Sequence, residues 1–433
     1  MSQDTFAKRR KSLMSTLGEG VLVMAGASEQ TRNSDVHYKF RQNSDFFYLT
    51  GFDEPDASVI LSHKEGILRS ILIVPPKDKV KEIWEGIRLG EKGAVDTLGF
   101  DEAYSNEDVE EVLLKELGNH DRLFYEFNLE SNFDGLILDC LNHFRNVGRK
   151  NPVFPRSLVF YHRELGFMRH VKNENEQQMM RKATGITCNA LNEVMRNLKP
   201  GMNESEVQAI LEYEYRRHGC DSGYGSIVAG GANATILHYT SNNSVLEPET
   251  LLLIDSGCEY KFYCSDVTRC YPVDGKFTPE ARAVYEIVLE ANKKSIEQSI
   301  VGSNLKDVHQ ASLNTLADGL RDLGLASGSR ESIQNNELKL FYMHNTSHWL
   351  GMDVHDVGQY DREGVPISLQ QGMAFTIEPG LYFNPAFSGL NTKFDGIGVR
   401  IEDDIIIQSN YPEVLSSQIP KEIQEIEDFM AES

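Results

Sequence analysis

The chain is short of positive charge, of long apolar runs and of paired cysteines. Its 433 residues carry 43 Lys and Arg against 65 Asp and Glu, a net charge of −22. Nucleic acid and anionic membrane surfaces demand basic patches, so both are argued against as partners. No window approaches the ~20 apolar residues of a membrane-spanning helix. The opening MSQDTFAKRRKSLMSTLGEG has a basic patch but no apolar core or cleavage signal. It reads as an amphipathic helix rather than a secretory peptide. The six cysteines, Cys140, Cys188, Cys220, Cys258, Cys264 and Cys270, contain no CxxC pair. Such spacing argues against a zinc-thiolate site and a small disulfide scaffold, and predicts reduced thiols in a cytoplasmic protein. Only two tryptophans are present. One of them, Trp84 in IWEGIRLG, reads equally well as a buried anchor or an interface residue.

At this length two or three domains are expected, because single cores stop growing at about 250–300 residues. Residues 1–170 read as an α/β domain. Val21–Met24, Ser58–Leu61 and Ser70–Val74 are short apolar strands, and helical patterns lie near Asn106–Leu117 and Asp134–Arg145. The segment Arg41–Tyr48 mixes polar residues with an aromatic run and is expected to pack against the first strands. The composition turns polar around His170–Asn175, which marks the boundary. Residues 171–433 then read as an α+β domain. Helices are predicted over Glu174–Asn197 and over Glu204–Arg217, the latter after the cap candidate Asn203. Strands follow near Ser226–Val228, Thr235–Tyr239 and Leu251–Ile254. Thr278-Pro279 opens a second helical pair, to about Ile300 and then Leu305–Leu323. Two successive helix–helix–strand units suggest an internal pseudo-twofold repeat with a site between its halves.

The chemistry gathers around LLLIDSGCEYKFYCSDVTRCY, Leu251–Tyr271. A hairpin with Tyr260-Lys261 at its tip would set Asp255 directly opposite Asp266. Like charges so placed repel, and a buried pair must share a proton or hold a cation; a solvated hairpin would need neither. Further along, FYMHNTSHWLGMDVHDV holds His344, His348 and His355. The first two have i,i+4 spacing but lack the glutamate of HExxH, so a zincin is not supported. In GMAFTIEPGLY an apolar strand delivers Glu378 just before Pro379-Gly380. In GIGVRIEDDIII alternation puts Arg400, Glu402 and Asp404 on one face, as on a half-exposed strand with a surface ion pair. Asp255, Asp266, His348, Glu378 and Glu402 together form a donor set suited to two hard or borderline divalent ions.

The order Asp…Asp…His…Glu…Glu, in the contexts DSGCEYKFYCSD, HNTSHWLGMDVHD, TIEPGLY and GVRIEDD, resembles the metal-dependent pita-bread peptidases. That family holds aminopeptidase P, prolidase and methionine aminopeptidase. The aminopeptidase P branch is the nearest, and NSDVHYKFRQNSDFFYLTGFDEPDA resembles the start of its N-terminal domain. Creatinase shares the fold but lacks these ligands. The resemblance implies an α/β N-terminal domain, serving oligomerisation and site lining, followed by a pita-bread catalytic domain. It implies two divalent metal ions, manganese first with cobalt or zinc as alternatives. Asp255, Asp266, His348, Glu378 and Glu402 would be their ligands, Asp266 and Glu402 bridging. His238 would line the substrate pocket, and His355 would contact the scissile carbonyl or leaving group. Arg400 would back the acids, and His344 would stand beside the site. The loop Gln359–Gln371 is hard to align with the family.

The activity so implied is hydrolysis of the bond before a penultimate proline by a hydroxide bridging the two ions, with Glu378 as proton acceptor. The partners would be peptides with proline at the second position and further copies of the chain, as a homodimer or homotetramer. Prolidase, cutting Xaa-Pro dipeptides, is the alternative on the same fold. A non-catalytic binding module would have lost ligands, and a two-metal phosphoesterase fits the acids but not the acidic balance.

Overall fold

The computed structural model describes residues 3–127, 130–147 and 153–432. The chain divides into two compact units, Met1–Met168 and Arg169–Ser433.

The first unit is built on a six-stranded mixed sheet. Its spatial order is Glu102–Ser105, Ile67–Val74, Ser58–Lys64, Gly20–Ala25, Arg122–Phe124 and Ser157–Val159. Gly20–Ala25 runs antiparallel to Ser58–Lys64, with Leu22 opposite Leu61, and parallel to Arg122–Phe124. All six of its residues are buried, as expected where both faces of a sheet are covered. Val21, Val23, Ile60, Ile71 and Ile73 pack on one side with Leu113, Leu117 and Ile137 from the helices Val109–Leu117 and Ser131–Val147. The Arg41–Tyr48 segment meets the end of the first strand through Gln42, whose Oε1 accepts from the Ala27 N–H at 2.6 Å. It forms a helix, Ser44–Thr50, capped by Asn43 and packed on the opening helix Gln3–Leu17. Phe47 meets Phe6 edge-on, and the Arg9 guanidinium lies over Tyr48. Trp84 is not a buried anchor: it is 82% exposed, beside Ile83 and Ile87, which are also exposed.

The second unit repeats one theme twice. Helices Glu174–Asn197 and Glu204–Arg217 pair with one another, as do Pro279–Gln298 and Leu305–Asp322. Each start is dictated locally. Asn173 and Asn203 form capping boxes with Glu176 and Glu206, and Thr278 caps its helix ahead of Pro279. Such caps are worth about 0.5–2 kcal/mol each. Each helical pair is followed by a three-stranded antiparallel sheet. The first is Ile227–Gly230, Leu251–Ser256 and Val267–Pro272; the second is Ala374–Ile377, Asp403–Ile407 and Pro412–Val414. Leu251–Ile254 is buried throughout, and each such side chain is worth about 1.5–3 kcal/mol.

Three sequence expectations change. Thr235–Tyr239 is no strand: Thr235 ends a short 3-10 helix, Gly231–Thr235, and the residues after it turn. The aspartate hairpin is shifted by two residues. Tyr260 pairs with Tyr263, the tip is Lys261-Phe262, and Asp255 faces Thr268 rather than Asp266. Both tip residues adopt positive φ, +50° and +70°, the requirement of a type I′ turn normally met by Asn-Gly. Because side chains alternate with period two, the shift leaves both aspartates on the same face. Gly257 lies between them, where a Cβ would stand 1.8 Å from the Ser265 carbonyl oxygen. Only glycine allows that approach. Finally, GIGVRIEDDIII is not one half-exposed strand. It breaks at Ile401-Glu402 into Gly398–Arg400 and Asp403–Ile407, which join different sheets and are wholly buried.

Candidate metal centre

The strand ends of the second unit surround one cavity of about 690 Å³. Asp255 is the penultimate residue of Leu251–Ser256, and Asp266 immediately precedes Val267–Pro272. Glu378 leaves Ala374–Ile377, and Glu402 lies in the break before Asp403. His348 sits in an irregular segment tied to the same strand: its N–H donates to Thr376 Oγ1, and its carbonyl accepts from the Thr376 N–H. All five line the cavity, as do His238, His344, His355 and Arg400. Residues distant in the chain, from Tyr224 to Glu402, thus converge on one space.

Among the described residues, Asp266, His348 and Glu402 have ligand atoms that all lie within 4.8 Å of one another. Asp266 Oδ2 is 3.3 Å from His348 Nε2, and Glu378 Oε1 is 3.5 Å from the same nitrogen. His348 Nδ1 is 3.1 Å from the Trp349 carbonyl oxygen. In the neutral ring that contact fixes the proton on Nδ1 and aims the Nε2 lone pair at the acids. Asp255 is joined to Asp266 through Tyr224, whose hydroxyl lies 2.5 Å from one oxygen of each. A phenol has one hydrogen, so it satisfies one of the two carboxylates at a time.

The charge balance explains what this arrangement wants. Burial first, and then the neighbouring Asp266, Glu378 and Asp255, raise the Glu402 pKa well above the ordinary carboxylate range. Burial likewise lifts Glu378 to about 7, although His348 and Arg400 oppose it. His348 responds in the other sense. Burial would discharge it, but Asp266 and Glu378 outweigh that and raise it to about 9. Against four carboxylates the cluster has one fixed cation, Arg400, 2.5 Å from Asp255 Oδ2. Oxygen donors with one imidazole, buried and short of positive charge, fit a divalent cation.

The remaining side chains hold this frame. Arg400 also donates to Tyr382 Oη at 3.0 Å and to Thr268 Oγ1 at 3.1 Å, and Thr268 donates to Glu402 Oε2 at 2.6 Å. His344 Nε2 is 2.8 Å from Tyr382 Oη, its Nδ1 is 3.5 Å from Glu378 Oε2, and burial lowers it to about 3. His355 stands edge-on to His348 with ring centroids 4.4 Å apart. His238 and Leu237 also line the cavity, and Ile227, Val354 and Tyr360 give it apolar walls. Sequence reasoning missed Tyr224, Thr268 and Tyr382. Thr268 had a signal, since two positions beyond Asp266 on a strand it faces the same way. Tyr224, in SGYGS, had none.

Residues 178–409 match the model of metallopeptidase family M24, and residues 6–125 that of the aminopeptidase P N-terminal domain. The chain belongs to metallopeptidase family M24. This M24 chain is 36% identical to the Xaa-Pro aminopeptidase of Haemophilus influenzae and 37% identical to that of Escherichia coli, each over 99% of this chain and 98% of the relative. The structure of zinc-substituted E. coli aminopeptidase P in complex with product matches it with a TM-score of 0.97 at 36% identity. That match covers 100% of this chain and 99% of the other. The architecture of this M24 chain is therefore an α/β N-terminal domain followed by the mixed α+β pita-bread domain.

Proposed function

We propose that this M24 metallopeptidase is an aminopeptidase that releases the N-terminal residue of peptides with proline at the second position. The observation that carries the reading is the meeting of the acids, His348, His238, His355 and Arg400 around one apolar-walled cavity, in a chain alike throughout to Xaa-Pro aminopeptidases. Asp255, Asp266, His348, Glu378 and Glu402 would hold two divalent ions, manganese by preference, with cobalt or zinc as alternatives. Bound there, the ions lower the pKa of water and polarise the substrate carbonyl. Glu378 accepts the proton of the attacking water. His355 donates to the scissile carbonyl or leaving nitrogen, and His238 flanks the bound peptide. The acids attract the substrate's free α-amine. Proline brings a ring and no amide N–H, so its subsite needs apolar walls rather than an acceptor; Leu237, Val354 and Tyr360 are suited to that. The exposed Ile83, Trp84 and Ile87 give the first unit an apolar face suited to self-association as a dimer or tetramer. Six buried free cysteines agree with a reducing, cytoplasmic setting.

Chelator-stripped protein incubated with an Xaa-Pro-Yaa tripeptide tests the reading. Added Mn²⁺ should restore release of the first residue and raise the melting midpoint, and Asp266→Ala should lose both responses. No release with manganese, cobalt or zinc would refute it, and cleavage confined to Xaa-Pro dipeptides would make the chain a prolidase.

A further inference from the structure

His355 is exposed in Leu350–Gly358, a segment without helix or strand of its own. An imidazole that must meet one bond of a substrate needs a firmer support than that segment can supply. The support lies directly beneath it. The next residue, Asp356, turns inward, and its side chain is 1% exposed. Its Oδ1 accepts from Arg169 at 2.5 Å and its Oδ2 from Lys172 Nζ at 3.0 Å; both cationic side chains are 2% exposed. Arg169 also reaches Asp353 Oδ2 at 2.8 Å, so the same guanidinium holds both ends of the turn that displays His355. The Asp356 N–H donates to the Trp349 carbonyl at 2.9 Å and closes that turn. Space is so tight that a Cβ on Gly351 would stand 2.1 Å from Asp356 Oδ2 and 3.0 Å from Lys172 Cε.

The cations are themselves anchored. The Lys172 N–H donates to the Gly372 carbonyl at 2.8 Å, its carbonyl accepts from Gln177 Nε2 at 2.8 Å, and Val171 forms a β-bridge with Met373. Met373 leads into Ala374–Ile377, the strand that delivers Glu378. The short run Arg169–Lys172 therefore grips the His355 turn through side chains and the Glu378 strand through backbone. Burying such ions is costly and gives little net stability over apolar packing, whereas charge-assisted hydrogen bonds fix direction.

We propose that the Arg169–Lys172–Asp356 cluster is the positioning device for His355, setting where the imidazole stands in the cavity without touching substrate. The consequence for turnover rests on the aminopeptidase reading; the positioning itself does not. Asp356→Asn keeps the shape and removes the charge. Its kcat should fall about 10–100-fold with KM little changed, as for outer residues that orient a reacting group. In a His355→Ala background the same substitution should cost nothing further, because it acts through a side chain no longer there. Lys172→Met, which keeps the length of the side chain and removes the cation, should lower kcat in the same way and likewise cost nothing further without His355.

An equal loss in both backgrounds would overturn the proposal. A second readout needs no activity: with ¹³C-labelled histidine, the His355 signal, assigned by its disappearance in His355→Ala, should shift or broaden in Asp356→Asn while that of His63 stays. An unmoved His355 signal would also overturn it. A wild-type enzyme that cleaves no proline peptide would refute the aminopeptidase reading alone, with the histidine signal still deciding the positioning.

Discussion

Glu402 and Asp403 are consecutive, both acidic and both essentially inaccessible, at 1% and 0% exposure, yet their surroundings are opposite. Asp403 accepts from Arg269 at 2.7 Å, from Lys421 Nζ at 2.6 Å and from the Ser416 hydroxyl at 2.6 Å. Burial alone would raise its pKa; Arg269 and Lys421 reverse that and push it far below the carboxylate range. Glu402 has one hydroxyl, that of Thr268, and faces Asp266, Glu378 and Asp255, with Arg400, already paired to Asp255, the weaker opposing influence. A buried acid with its own cations is a structural joint: Arg269 also donates to the Glu402 carbonyl at 2.6 Å and so ties the two strands together. A buried acid among acids is a place kept for a cation.

The contrast predicts opposite phenotypes for two one-atom changes. Glu402→Gln should lower kcat/KM by about a thousandfold or more, since metal assistance is worth several kcal/mol. The metal-free variant should nevertheless unfold at the same or a higher denaturant midpoint, because folding no longer has to protonate a buried acid. A lower midpoint in metal-free protein would break the distinction. Asp403→Asn should do the reverse. It leaves Arg269 buried without its partner, and should cost about 3–5 kcal/mol of stability by urea unfolding, with metal binding retained in the fraction that stays folded. A variant as stable as wild type would show that the Asp403 cations are dispensable.

A third region sharpens the comparison from the side of a group kept neutral. Burial first, and then Lys172, lower the His170 pKa from 6.5 to about 4, where its ring meets Trp349 at 4.4 Å. The unfolded chain therefore binds the proton more readily than the folded one. The His170 contribution is fully present above about pH 6.5 and is lost as pH falls through about 4. It should amount to at most about 3 kcal/mol. His170→Gln should flatten the stability profile between those two pH values relative to wild type, and an unchanged slope would refute the assignment.

Much of the frame was legible because it is local. Asn203 and Thr278-Pro279 announce helix starts through their own side chains, and an acid closing an apolar run marks Asp255 and Glu378 as strand-end carboxylates. The failures have equally physical causes. Thr235–Tyr239 has β-prone residues, but intrinsic preference yields to the turn that carries His238 to the cavity. The observed hairpin register rests on positive φ at Lys261 and Phe262, which their types do not advertise. GIGVRIEDDIII alternates like a half-exposed strand; its polar side chains are buried against partners that alternation cannot name.

The sequence by itself determined the donor inventory, the scarcity of cations to balance it, and the strands that end in acids. Those properties depend on residue type and on spacings of two to four, which the backbone converts directly into faces. Only the tertiary structure decided which acids are neutralised. Glu402 and Asp403 share a local context, but Glu402 lies in the break between two strands and Asp403 opens the next one. The cations that meet Asp403 come from 134 and 18 positions away, and those that seat Asp356 beneath His355 from 187 and 184. Charges interact through space rather than along the chain, so the line between a structural ion pair and a metal-seeking cluster is drawn only when the chain has folded.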